Sequence, residues 1–262
     1  MTAEPIEVDS YVFGRNVLSL HDFDPQTDFA SFERGYVARY DPVYVSCKIP
    51  MEQVNDVHRL EDAGFHLMEC QIRARIKLRK LYDTAAFPYD FERVTRERDL
   101  AEVLAIAGTT FEHDRFRNDS RIAPELAGLR YEHYVRKSFR TPNEAVYRLI
   151  DRETGSTVAF KTHLYVSERE VLFLLGGVRN DLKNLGLGMI NEYFEFNELI
   201  RKGVTSGVTH ISAANYPIFN LELCQLGFRV ATTFAVMRKL YGVPTSEAGG
   251  KATWDGRSPL PC

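Results

Sequence analysis

Apolar residues recur along residues 96–240 with two different periods, and the switches between those periods mark the elements. In RERDLAEVLAIAGTTF, Leu100, Val103, Leu104 and Ala107 follow the i, i+3, i+4, i+7 spacing of a helix with one buried face. A charged loop, EHDRFRND, comes next, and then APELAGLRYEHYVRKSF reads as a second helix with Pro124 near its first turn. Three strand-like runs follow, AVYRLID, TVAFKTHLYV and EVLFLLGGV, and the turn SERE joins the last two as a hairpin. Beyond a glycine-containing loop, GMINEYFEFNELIRKG is a helix closed by Gly203. VTHISA is a strand, YPIFNLELCQL a short helix and FRVATTFAVMRKL a closing strand. Helices alternating with strands predict a mixed α/β protein.

An earlier stretch echoes the end of this order. Strand VYVSCKI, helix MEQVNDVHRLEDA, Gly64-Phe65 and strand HLMECQIRARI precede their counterparts VTHIS, NYPIFNLELCQL, Gly227-Phe228 and RVATTFAVMRK. With one constant offset, Val45, Leu60, Gly64, Phe65 and Arg75 fall on Val208, Leu223, Gly227, Phe228 and Arg238. Any helix packed on a strand favours Gly at its C′ position, so the shared order of elements says more than the identities. Residues 1–85 are therefore expected to form a partial copy packed on the segment 86–240. The tail 241–262, rich in Gly, Pro and Ser and carrying Trp254, reads as an extension.

Bulk properties narrow the function classes. The 262 residues are 44% hydrophobic and 26% charged with a net charge of −3, which predicts no general attraction to nucleic acid or to a membrane. Cys47, Cys70, Cys224 and Cys262 are widely spaced, with no C-x-x-C, which argues against a disulfide framework or a zinc site and for a reducing compartment. No signal-like core opens the chain and no apolar run approaches a membrane span, so the expected location is the cytoplasm.

The segment VRNDLKNLGLGMINEYFEF puts two glycines at the mouth of a helix, where each costs about 1 kcal/mol against Ala in a helix interior. Close helix–sheet packing would explain them, and so would phosphates lying on bare backbone amides at the positive end of the helix dipole. A dinucleotide fingerprint fails, because its third glycine falls on Asn191 and VTHISAAN holds no acidic ribose partner. The P-loop pattern is absent. Val178 followed by Lys183, Gly186 and Gly188 at five, eight and ten residues, after a strand ending Gly176-Gly177, resembles the coenzyme loop of the GNAT-type N-acyltransferases. The resemblance implies a mostly antiparallel sheet flanked by helices, with acetyl-coenzyme A as co-substrate and no metal. It also implies a cleft beside the strand before the loop. Gly177, Val178, Lys183, Asn184, Leu185, Gly186, Leu187 and Gly188 would then bind the coenzyme. Lys183 departs from the Gln or Arg usual there, a change that a backbone cradle tolerates.

The later unit from Asn215 to Leu226-Gly227-Phe228 resembles the family's last block, in which Asn contacts the coenzyme arm and a Tyr protonates the leaving thiolate. Asn215 and Asn220 are accordingly coenzyme candidates, or else a helix cap and a surface residue. Leu223 stands at the tyrosine's place, between Glu222 and Cys224. FEHDRFRND, LRYEHYVRKSF and LEDAGFHLMECQIRARI further resemble the nucleotide-linked amino-sugar acetyltransferases of the dTDP-fucosamine type. That likeness implies acceptor-side roles for Asp114, Arg115 and Asp119, whose alternative is a solvated loop of Arg–Asp pairs.

For a base, His163 shares one strand face with Lys161 and Tyr165, and a turn centred on Glu168-Arg169 sets it opposite Leu174. His163 is the catalytic candidate, with a hydrogen-bonded structural role as its alternative. The expected function is transfer of an acyl group, acetyl by preference, to a primary amine, with a nucleotide-linked amino sugar favoured. A free amino acid, polyamine or antibiotic acceptor and a catalytically silent acyl-coenzyme A binder are the alternatives. A homodimer is left open.

Overall fold

The computed structural model describes residues 1–241 apart from Pro25, residues 112–114, Ser120 and Asn184, and only the backbone of Arg115, Asn118 and Pro124. In chain order the elements are β1 Thr2–Pro5, α1 Glu7–Phe13, β2 Val17–His21, α2 Phe29–Tyr40, β3 Tyr44–Pro50, α3 Val54–Asp62 and β4 His66–Lys77. Then come β5 Tyr89–Arg93, α4 Glu97–Thr110, α5 Arg115–Asn118, α6 Pro124–Arg140, β6 Glu144–Asp151, β7 Thr157–Tyr165 and β8 Glu170–Val178. The chain ends with α7 Leu187–Arg201, β9 Ser206–Ser212, α8 Tyr216–Phe219, a π-helical stretch Asn220–Gln225 and β10 Arg229–Leu240. Every element expected from periodicity is present, with ends moved by a few residues. Six were not expected: β1, α1, β2, α2, β5 and the one-turn α5 inside the charged loop.

The strands form one sheet in the order β1-β2-β3-β10-β4-β9-β8-β7-β6-β5. Two neighbouring pairs are parallel, β2 with β3 and β8 with β9, and the other pairs are antiparallel. The last strand, β10, lies between β3 and β4, and β4 in turn lies between β10 and β9. The offset that relates Val45 to Val208 carries His66 onto Arg229 and Arg75 onto Arg238. In the β4–β10 ladder His66 pairs with Arg238 and Arg75 with Arg229, so the two strands meet about a local two-fold axis. Gly64 and Gly227 both hold φ at 83°, a conformation costly to any side chain, and each is followed by a buried phenylalanine, Phe65 or Phe228.

Alternation along the strands sorts the helices. Val45, Cys47, Ile49, Ala235 and Met237 face α2 and α3, while Ala74, Ile76 and Ile211 face α7 and the π-helical stretch. On the opposite face Val146 and Phe160 pack under α4 and α6, and Tyr44 under Phe116 and Ala127. The first helix is pinned to α6 by a buried ion pair, Arg130 Nε donating to Asp9 Oδ1 at 2.7 Å. Because each half supplies a strand to the other's core, residues 1–85 and 86–262 expressed separately should both lack a dispersed amide spectrum. The intact chain should unfold in one transition. A fragment that folds alone would show the interleaving to be dispensable.

Candidate active site

The strands β8 and β9 pair through Glu170–Ser206, Val171–Gly207 and Leu172–Val208, and no further. From residue 173 to 178, β8 has a ladder partner on the β7 side alone. Gly207 lets the two strands part sharply, because the Phe173 ring fills the place of its side chain: an added Cβ would stand 2.2 Å from Phe173 Cε2. That ring packs against Phe196 and Phe228, with centroids 5.8 and 6.0 Å away. The hairpin register also differs from expectation. Thr162 pairs with Leu175 and His163 with Phe173, so Leu174 is bulged out, and His163 is not opposite it. The Thr162 hydroxyl accepts from the Leu175 amide at 3.0 Å and so satisfies the bulge.

The loop beyond β8 is tied to the end of α4. Thr110 Oγ1 donates to the Val178 carbonyl at 3.0 Å, Asn180 Nδ2 to Thr109 O at 3.3 Å, and Lys183 Nζ to Thr110 O at 3.3 Å. Gly177 lies under Phe160 and Thr110, where a Cβ would meet Phe160 Cε1 at 2.7 Å, so packing alone requires that glycine. The next two differ. Gly186 starts α7 at φ 77° with no side-chain cap, leaving the first amides of the helix to another partner. A Cβ at Gly188 would touch only Leu221 Cδ2, at an ordinary 3.7 Å, so the packing of the chain needs no glycine there. Leu185 is exposed and Leu187 buried; Asn184 lies outside the described residues. Asn215 caps α8, its Oδ1 accepting from Ile218 N at 3.5 Å, and Asn220 is exposed.

Under the splayed strand lies a cluster of buried charge that sequence reading largely missed. Lys161 Nζ donates to Glu192 and stands 3.5 Å from Glu195 Oε2, while Glu195 Oε1 meets His163 Nδ1 at 2.9 Å. An added Cβ at Gly176, in the free half of β8, would lie 3.0 Å from the Lys161 ammonium, so the cluster reaches the cleft. Burial works against the Lys161 charge, but Glu192 and Glu195 outweigh it and hold the ammonium above the ordinary lysine value. Burial pushes Glu192 upward as well. Glu222, from the π-helical stretch, is raised from 4.5 to about 8 by burial and then by Glu192 and Glu195, against Lys161 and the Thr209 hydroxyl. At neutral pH Glu222 therefore keeps its proton. His163 is fully buried between Tyr147 and Tyr165, and among the described residues His163 Nε2 and Glu222 Oε2 have no hydrogen-bond partner. The readable signal was Glu192 and Glu195, one turn apart on the face of α7 that also carries Phe196 and Leu199.

Of the acceptor-side candidates, only Asp119 is described in full. Asp114 and the Arg115 side chain lie outside the described residues. Asp119 is turned inward: its carboxylate accepts from Arg238 Nε at 2.7 Å and from Arg121 Nε at 3.3 Å. Arg238 is 1% exposed on β10, and a guanidinium so buried requires a carboxylate, which is the physical reason Asp119 turns inward. A hollow lined by Asp9, His21, Lys48 and Tyr134 opens beside α1, away from the splay.

The fold has counterparts among solved structures. The fold is that of the GCN5-related N-acetyltransferases. One such structure, a GCN5-related N-acetyltransferase from Sphaerobacter thermophilus, matches with a TM-score of 0.65 at 13% identity over 91% of this chain and 76% of its own. A tandem GNAT protein from the clavulanic acid biosynthesis pathway matches at 0.57 and 12% identity over 86% of this chain and 75% of its own. A glucosamine N-acetyltransferase region within a fungal multi-domain β-N-acetylglucosaminidase matches at 0.60 and 12% identity, over 86% of this chain and 30% of that one. No family model matches the sequence, and no curated protein does.

The raised Glu222 gives a pH dependence with a definite sign. The folded state binds this proton more tightly than the unfolded state does, so stability is full below about 4.5 and declines as pH rises toward about 8. Denaturation midpoints measured across that range should fall, and Glu222→Gln should flatten the fall. An unchanged slope in the variant would mean that Glu222 is ionised at neutral pH.

Proposed function

We propose that the protein transfers an acyl group, acetyl by preference, from acyl-coenzyme A to a primary amine. The observation that carries this reading is the β8–β9 pairing that ends at Leu172, with the uncapped start of α7 beyond the free half of β8. Amides at a helix start suit a pyrophosphate, and Gly188 keeps its approach open where the chain's own packing needs no glycine. Gly186, Leu187 and Gly188 would hold the phosphates, with the turn from Lys183 to Leu185 beside them. Gly177 and Val178 would lie along the arm, joined from across the splay by Asn215 and Asn220. Acyl-coenzyme A, when bound, supplies an activated carbonyl and a thiol leaving group of pKa near 8.5.

The chain's own groups handle the rest. Amides in the free half of β8, Gly177 or Val178 foremost, polarise the carbonyl. Glu222 stands one residue before Leu223, which occupies the place of the usual tyrosine acid, and donates its proton to the departing sulfur. His163, oriented by Glu195 through Nδ1, takes at Nε2 the proton released by the amine. Because His163 is sealed from solvent, that proton passes on from Nδ1 to the Glu195 carboxylate.

The favoured acceptor is an amino sugar carried on a nucleotide, in keeping with the glucosamine-acetylating region among the similar folds. A free amine is the alternative acceptor, and the missing tyrosine favours a silent binder as the alternative class. Residues 1–85 are a partial copy packed on the catalytic segment 86–240, in a protein of the cytoplasm.

Thiol release from acetyl-coenzyme A, measured with a panel of amines and amino sugars, tests this reading. Coenzyme binding without release for any amine would leave only the binder. Gly188→Val should lower coenzyme affinity about tenfold, ~1.4 kcal/mol, in a folded protein, and unchanged affinity by calorimetry would remove the loop from the site. Glu222→Gln should lower kcat on the order of 10²-fold and abolish a decline in rate above about pH 8, and His163→Ala should lower kcat at unchanged coenzyme affinity.

A further inference from the structure

Among the described residues, one end of the middle of the sheet is exposed on the face that carries α4 and α6. There β10, β4 and β9 lie side by side. Ile72, Ala74 and Ile76 are buried toward the other face, so alternation turns Arg73 and Arg75 outward. Arg229 pairs with Arg75 from one side and His210 with Arg73 from the other, and the three arginines are exposed. Arg75 meets Glu170 at 3.5 Å, whereas Arg73 and Arg229 have no carboxylate partner among the described residues. Like charges directly opposite each other on a ladder destabilise it, and the protein's net charge of −3 means that a basic composition does not explain them.

The patch adjoins the cleft. His210 belongs to the part of β9 beyond Val208, which has separated from β8. Burial first, then Lys48 and Arg73, hold its imidazole down at about 4, so it is neutral and retains one N–H. The Phe234 ring lies 6.4 Å from it. Guanidinium groups on adjacent strands present planar forks of the kind that grip phosphate oxygens.

We propose that this face binds the phosphate groups of the acceptor, with Arg73, Arg75 and Arg229 as cationic contacts and His210 beside them. The anion site stands on its own geometry; assigning the anion to the acceptor rests on the acyl-transfer reading, through the shared cleft.

Inorganic pyrophosphate titrated into the full chain, with coenzyme A saturating to fill the α7 loop, tests the site. Binding should be saturable and should weaken with salt. The Arg73→Ala, Arg229→Ala double variant should bind pyrophosphate at least about tenfold more weakly while keeping its affinity for coenzyme A. Bound pyrophosphate should also raise the pH at which the His210 ring resonances titrate, because an anion favours the imidazolium. No binding, or equal binding by the double variant, overturns the site. In a second arm an amino sugar and its phosphate ester are compared as acceptors. The ester should have the lower KM, and the double variant should lose that advantage at unchanged kcat. Transfer without any KM advantage overturns the acceptor assignment. Arginine-dependent pyrophosphate binding in a protein that acylates no amine upholds the anion site and rejects acyl transfer instead.

Discussion

The pairing of β8 with β9 lasts three residues, and much of the molecule is arranged around where it stops. A strand with an unpaired side inside a folded chain has backbone groups that need other partners. Thr110 takes the Val178 carbonyl. The separation is held open by packing, with Phe173 wedged over Gly207 against Phe196 and Phe228. Each of these residues answers a demand set by the parting strands.

The same opening accounts for the charge beneath it. A lysine and three glutamates in a dry interior are expensive unless they pair and share protons. Lys161 meets Glu192 and Glu195, and Glu222 remains protonated because a third buried negative charge has no cation left to balance it. Stability alone would favour apolar residues of similar volume here. Groups of perturbed protonation beside a cleft are the arrangement expected of proton-handling chemistry.

The fold was legible wherever elements were long enough to show a period. Helices α4, α6 and α7 and strands β6 to β10 follow from alternation and spacing. Strands β1, β2 and β5, of four or five residues, are too short for two turns of any pattern. Helix α2 was readable, since Asp28 caps it and Phe29, Phe32, Tyr36 and Tyr40 share one face, but those aromatics were not weighed. The glycine loop was visible because backbone chemistry needs particular residue types at fixed spacing. The buried cluster was not, because Lys161, Glu192 and Glu222 come together only through tertiary packing. Asp119 misled for the same reason: nothing local says that Arg238, far along the chain, needs its carboxylate.

The position of β10 has a consequence for the chain as it emerges from a ribosome. Synthesis runs from the N-terminus, yet the strand that fills the gap between β3 and β4 is made after every other described strand. Until it arrives, β3 and β4 expose unpaired edges and an uncovered apolar face, the kind of surface that recruits chaperones or sticks to neighbouring chains. Maturation of the first half thus waits for the second half to be made.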